Sequence, residues 1–305
     1  MGLGKAKLLG SYALQSALFY VKRKTASIPP RIDTIVVDID YTLLDVLTPY
    51  RALEKILGPE GARQAYAEQK ARVKSGKANF ADVKHWGHEL QKSHGWTARD
   101  WKEIVDRAYG EGIFNWGVIG ALQQIKRENP GVKIVLTTGT SDILGKRLAA
   151  HLRGRFGLRV DAVVGSKQTF DRGARAGKVS GLEYFVGETH TSIPAVEKIP
   201  AIKSHFGRKG WSFNPKTTMA ISDADPQLLR KCGIGVLVKV GRGEDPASFI
   251  SQKFKLRDVE YVRGQSPQFL VDLALHPRGK NTQKKSVRPP SRFRRIIPRW
   301  PHRRR

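Results

Sequence analysis

The sequence predicts an α/β fold, a Rossmann-like doubly wound parallel sheet interrupted by an inserted helical unit. Three observations carry that expectation. Short aliphatic runs recur at Thr34–Asp38, Lys133–Thr137, Val160–Val164, Thr217–Ile221 and Gly235–Lys239, unbroken as in parallel strands buried on both faces. Helical patterns separate several of them, which argues for crossover connections rather than hairpins. The first run ends in Asp38-Ile39-Asp40, two acids placed where open α/β sheets take their ligands.

Taken in order, the chain begins with a basic segment, residues 1–32, whose Leu8–Val21 stretch is too short and too polar to span a bilayer. It reads as a packed helix, an interfacial helix or a transit peptide. Ile28-Pro29-Pro30-Arg31 is a linker by composition. More than 90 residues then separate Asp38 from Lys133, whereas a simple βαβ unit takes about 30. Within that gap, helices are expected at Tyr50–Leu57, Glu60–Lys74, Phe80–Ser93 and Thr97–Tyr109, the last opened by a capping-box spacing between Thr97 and Asp100. Residues 46–115 thus form a helical insertion, with residues 33–45 and 116–276 as the α/β core.

Trp86, Trp96, Trp101 and Trp116 suit the insertion's own small core. Its histidines His85, His88 and His94 fit no zinc spacing and are expected at the surface, with a substrate-contact role as the alternative. A core-facing helix follows at Val118–Glu128, then helices at Ile143–Arg153 and Ile199–Phe206. Residues 165–190 are Gly-rich with alternating charge, a hairpin or irregular loop. The chain ends in a tail, residues 277–305, expected to be disordered.

Charge is distributed unevenly. The net charge is +28, yet the tail holds 12 Lys/Arg and residues 1–32 hold 6, neither with any acid. The remainder carries 37 basic and 27 acidic residues, an ordinary balance for a soluble domain. A lone cysteine, Cys232, excludes a disulfide framework within the chain and is expected to be a small buried hydrophobe. Localisation is expected to be cytoplasmic, with organelle targeting or membrane-surface association through the N-terminal segment as the alternative.

The chemistry concentrates in four pieces. Asp38 and Asp40 end the first strand, and residues i and i+2 of a strand face one spot. Two adjacent carboxylates in an apolar setting call for a cation or a shared proton, and oxygen ligands suit Mg²⁺. Thr137 and Thr138 end the second strand, Lys198 opens a helix, and Asp223 and Asp225 follow the fourth strand.

With those residues in that order, the chain resembles haloacid dehalogenase (HAD) superfamily phosphohydrolases over about residues 33–240. Asp38-Ile-Asp40-Tyr-Thr42 matches that superfamily's Asp-x-Asp-x-Thr motif, and Thr137 its strand-end Ser/Thr. Lys198, or secondarily Lys203, matches its lysine, and Ile221-Ser-Asp-Ala-Asp225 its acidic motif. The insertion resembles the helical cap of the phosphoserine phosphatase-like branch, and Gly173…Gly177-Lys-Val-Ser-Gly181 a glycine-containing turn of that branch.

The resemblance implies a Mg²⁺-dependent phosphomonoester hydrolase acting on a small phosphorylated substrate. Asp38 would be the nucleophile forming an aspartyl-phosphate and Asp40 the general acid/base. Thr137, Thr138 and Lys198 would bind phosphate, and Asp38, Asp40, Asp223 and Asp225 would be the metal site. Two departures stand out. Ser222 occupies the glycine position of the acidic motif, with Asp225 only two residues after Asp223. The helix at 80–90 offers Lys84, His85 and His88 where phosphoserine phosphatases use an arginine. The alternative function is a nucleic-acid-binding protein on a degenerate version of this fold, using the basic tail on phosphates. The same tail also suits an anionic membrane surface.

Overall fold

The computed structural model describes residue 29 and residues 31–171, 177–186, 195–223, 225–239, 259–262 and 266–277. The expectations for residues 1–28, for Gly173 and for the tail from residue 278 lie outside the described residues. No helix among the described residues is long and apolar enough to cross a membrane.

Strand β1 (Thr34–Asp38) is buried along its whole length. It lies mid-sheet between β2 (Lys133–Ser141) and β6 (Thr218–Ser222), parallel to both. Around them the sheet adds β3 (Ala162–Phe170), β4 (Val179–Val186), β5 (Ala195–Val196), β7 (Ile234–Lys239) and β8 (Val259–Val262). Its order is β5-β4-β3-β2-β1-β6-β7-β8, and every pairing is parallel except β3 with β4. The antiparallel pair is the hairpin expected within 165–190. Order reverses at β1, the switch point where such sheets bind ligands.

The two faces are covered as a doubly wound sheet requires. Ile35, Val37, Ile134 and Leu136 point to one face, packed by α4 (Trp116–Glu128), α5 (Asp142–Phe156) and α8 (Gln268–Leu275). Val36, Val135 and Ala220 point to the other, packed by α6 (Lys198–Arg208) and α7 (Pro226–Lys231). Cys232 packs, half-buried, against this second cluster.

Between β1 and β2 lie α1 (Thr48–Lys74), α2 (Phe80–Ser93) and α3 (Ala98–Gly110). The two helices expected at 50–57 and 60–74 are the two arms of α1, broken at Gly58, whose φ of 73° leaves the helical region just before Pro59. Capping boxes start α2 at Asn79/Asp82 and α3 at Thr97/Asp100, so the latter spacing does what the sequence indicated.

Several details depart from the sequence reading. Strand β2 runs on to Ser141, because its last residues pair with Ser166 across a bulge. Strand β3 begins at Ala162 rather than Val160 and reaches Phe170, where its second half pairs with β4. Trp96 and Trp101 meet edge-to-face in the core, but Trp116, at the first turn of α4, is 51% exposed and does not serve the insertion's core.

Candidate active site

Strand register assembles the site. Asp38 pairs with Thr137 on β2, and the β1–β6 register places Ser222 beside it on the other side. Register neighbours in parallel strands point the same way, so three polar side chains form a row at the carboxyl end of the sheet, on the face covered by α6 and α7. Lys198, the first residue of α6, reaches that row. Its Nζ donates to Asp38 Oδ2 at 2.8 Å and pairs with Asp225 Oδ2 at 3.2 Å. Lys203 lies exposed on the same helix, so Lys198 is the lysine that enters the site. Ser222 Oγ donates to Asp38 Oδ2 at 2.9 Å, and the Ile39 amide donates to Asp38 Oδ1 at 2.9 Å. Thr137 Oγ1 is buried and has no hydrogen-bond partner, a donor held ready where a ligand oxygen could accept it.

Just beyond β1 the backbone turns sharply. Tyr41 adopts φ +52°, and the Ile39 carbonyl accepts from the amides of Thr42, Leu43 and Leu44. A bulky residue in the left-handed region stores strain that the surrounding structure must hold. The turn swings Asp40 under the start of α1, where the Thr48 amide donates to its Oδ1 at 2.6 Å. The same turn lets Thr42 Oγ1 accept from the Asp223 amide at 3.0 Å, tying the Asp-x-Asp-x-Thr segment to the end of β6. Thr140 Oγ1, a residue the sequence reading did not single out, donates to Asp40 Oδ2 at 3.4 Å.

Four carboxylates and one ammonium share this space. Burial pushes the Asp40 carboxyl up to about 6, partly offset by the Thr48 hydrogen bonds and reinforced by the charge of Asp38. Asp223 is raised well above the carboxylate range by burial and by Asp38 and Asp40. Burial works against the charge of Lys198, but Asp38 and Asp225 outweigh it and hold its pKa above the ordinary lysine value. One lysine therefore does not neutralise the cluster, and a hard cation is the complement such oxygens accept. Among the described residues, no three or more Asp, Glu, His or Cys side chains already converge as a formed metal site.

The structure brings some of the candidates together and places others elsewhere. Asp38, Asp40, Asp223, Thr137 and Lys198 come together. Thr138 alternates to the opposite side of β2, and its hydroxyl accepts from the Thr140 amide at 3.0 Å. Asp225 caps α7, accepting from the Leu228 amide at 2.8 Å with one oxygen and pairing with Lys198 through the other.

The insertion reaches the same end of the sheet. A Cβ on Gly139 would stand 2.9 Å from Lys84 Nζ of α2, so the glycine leaves room for that ammonium. His88 is buried, contrary to the surface placement expected from sequence. It lies within 3.3 Å of Gln168, which also accepts from Trp101 Nε1 at 2.7 Å and donates to Gln91 at 2.8 Å. Burial lowers the His88 pKa, partly offset by the charge of Glu89. His94 is exposed, as expected, beside Ser93.

No family model matches the chain, and no curated protein does. Solved structures share the fold. A HAD family hydrolase from Salmonella enterica serovar Typhi superposes with a TM-score of 0.54 at 16% identity, covering 81% of this chain and 73% of the other. A phosphoserine phosphohydrolase-like protein from Francisella tularensis gives 0.52 at 16%, covering 80% of this chain and 100% of the other. A protein of unknown function from Bordetella pertussis gives 0.54 at 14%, covering 75% and 98%. The chain thus shares its fold with a HAD family hydrolase and a phosphoserine phosphohydrolase-like protein.

Proposed function

We propose that the protein is a Mg²⁺-dependent phosphomonoester hydrolase that works through an aspartyl-phosphate on Asp38. The observation that carries the reading is the row Thr137–Asp38–Ser222 with Lys198 against it and Asp40 and Asp223 beside it. That arrangement offers a nucleophile, a neutralising cation, a buried hydroxyl donor and a carboxyl poised near neutrality, which are the parts that phosphoryl transfer needs.

In the first step an Asp38 oxygen bonds to phosphorus as the phosphorus–oxygen ester bond breaks, and Asp40 gives its proton to the leaving oxygen. In the second, Asp40, now ionised, takes a proton from the attacking water, and the phosphorus–oxygen bond to Asp38 breaks to release phosphate. A carboxyl raised to about 6 suits both roles. Thr137 Oγ1 is placed to donate to a phosphoryl oxygen, and Lys198 to offset charge on Asp38 and the incoming group. A bound Mg²⁺ supplies the charge that lets an anionic nucleophile approach an anionic phosphoryl group. Asp38 and Asp223 would suit it by donor type, whereas Asp40 carries the proton given up in the first step and Asp225 is committed to Lys198 and α7. The insertion acts as a cap that excludes bulk water, a role supported by its contact with β3 through Gln168 and by Lys84 over Gly139.

The test is turnover of p-nitrophenyl phosphate with Mg²⁺ and with EDTA. Metal-dependent hydrolysis that Asp38→Asn abolishes in a folded protein supports the reading. Unaltered hydrolysis in Asp38→Asn, or none in the folded wild type across a panel of phosphate esters, overturns it.

A further inference from the structure

We infer that Ser222 is a positioning residue for the nucleophile, closing a hydrogen-bonded ring that fixes the Asp38 carboxylate. The inference rests on the assignment of Asp38 as nucleophile and extends it to a residue outside the expected catalytic set.

The ring has four links: Ser222 Oγ to Asp38 Oδ2 at 2.9 Å, Asp38 Oδ2 to Lys198 Nζ at 2.8 Å, Lys198 Nζ to Asp225 Oδ2 at 3.2 Å, and the Asp225 amide back to Ser222 Oγ at 3.2 Å. Its polarity follows from the groups themselves. An amide only donates and an ionised carboxylate only accepts. Ser222 therefore accepts from Asp225 N and spends its one proton on Asp38. With the Ile39 amide on Oδ1, the carboxylate is gripped by donors from three separate chain segments. Rotation about its side-chain bonds is blocked from both ends.

Register explains why this position can do it. Ser222 is fully buried beside Asp38 on one neighbouring strand as Thr137 is on the other. Of these two flanking hydroxyls, one is spent on the nucleophile and the other has no partner. The first holds the attacking group and the second faces what it attacks. Glycine or alanine at 222 would leave Asp38 Oδ2 on Lys198 alone and remove the acceptor of the Asp225 amide. That would loosen the nucleophile and the helix cap that steadies Lys198. Misplacing a reacting group by about 1 Å can cost on the order of a hundredfold in rate.

The experiment is steady-state kinetics of Ser222→Ala, Ser222→Gly and Ser222→Thr on p-nitrophenyl phosphate with Mg²⁺, with thermal melts on each. Ala and Gly should lower kcat by at least about tenfold with KM within about twofold, since the lost hydrogen bond orients the nucleophile rather than holding substrate. Thr, which keeps the hydroxyl, should stay within about threefold of wild type. Beryllium fluoride, a phosphoryl mimic that caps an aspartate, reads the same positioning without turnover and should bind the Ala and Gly variants about tenfold more weakly. If wild type turns over and folded Ala and Gly variants match it in kcat and in fluoride affinity, the inference alone is overturned. If wild type neither turns over nor binds the mimic, the assignment of Asp38 falls and this inference with it.

Discussion

Replacing Asp40 with asparagine should stabilise the protein while removing its turnover. The carboxyl is held at about 6 against an ordinary 3.8 because burial and Asp38 disfavour its ionised form. A group whose folded pKa is raised binds protons more tightly when folded, so its contribution to stability falls as pH rises from about 4 through 6 and is flat above. The rise converts to about 3 kcal/mol at pH 8 and roughly half that at pH 5. Asp40 is partly exposed, and screening there brings the expected gain at pH 8 to about 1.5–3 kcal/mol. Asparagine keeps an oxygen for the Thr48 amide and relieves Asp223, which Asp40 also raises. The assay is urea denaturation of both proteins in EDTA at pH 5 and pH 8. The variant should be the more stable, by a margin that widens at pH 8. A variant no more stable than wild type at pH 8, or a margin independent of pH, would refute the reasoning.

Lys198→Met should destabilise by about 3–5 kcal/mol, because it leaves Asp38 and Asp225 buried without their cation; denaturant melts measure this, and kcat should fall at least about a hundredfold. Gln168→Leu strands Trp101 Nε1 and Gln91 between the insertion and β3 and should cost about 2–4 kcal/mol in the same melts. Gly233→Ala would set a Cβ 2.1 Å from the Lys216 carbonyl oxygen, so a backbone must move and the loss should be at least about 2 kcal/mol. Chelation should take ester hydrolysis to background, and added Mg²⁺ should restore it.

The fold was legible because β1, β2, β6 and β7 are buried on both faces and so carry unbroken apolar runs. The break in α1 announced itself through Gly58-Pro59. Where pattern and outcome diverged, pairing partners decided: β3 is long because its second half meets β4, and nothing in Ser166–Phe170 alone says so. His88 reads as a surface residue on its own helix and is buried only because Gln168 of a distant strand meets it.

The site shows the same division. Asp38, Asp40 and Asp223 are visible as acids at the ends of apolar runs, whereas Lys198 stands out by its place before Asp223 at the start of a helix. Thr48 and Thr140, which hold Asp40, gave no signal, since threonine is common at helix starts and in strands. The hydrogen bond from Ser222 to Asp38 depends on the β1–β6 register, which sequence does not disclose. The resemblance implied a metal-ligand role for Asp225, while the structure gives its oxygens to Lys198 and to the Leu228 amide.

The central claim is that Asp38 takes the phosphoryl group covalently. Acid-quenching the enzyme during turnover of a ³²P-labelled phosphate ester, reducing it with borohydride and mapping the peptides by mass spectrometry tests this directly. The account predicts acid-stable ³²P on the quenched protein, which borohydride releases as phosphate while converting residue 38 to homoserine, and neither label nor homoserine in Asp38→Asn. Turnover without label at Asp38, or label on another residue, would contradict it.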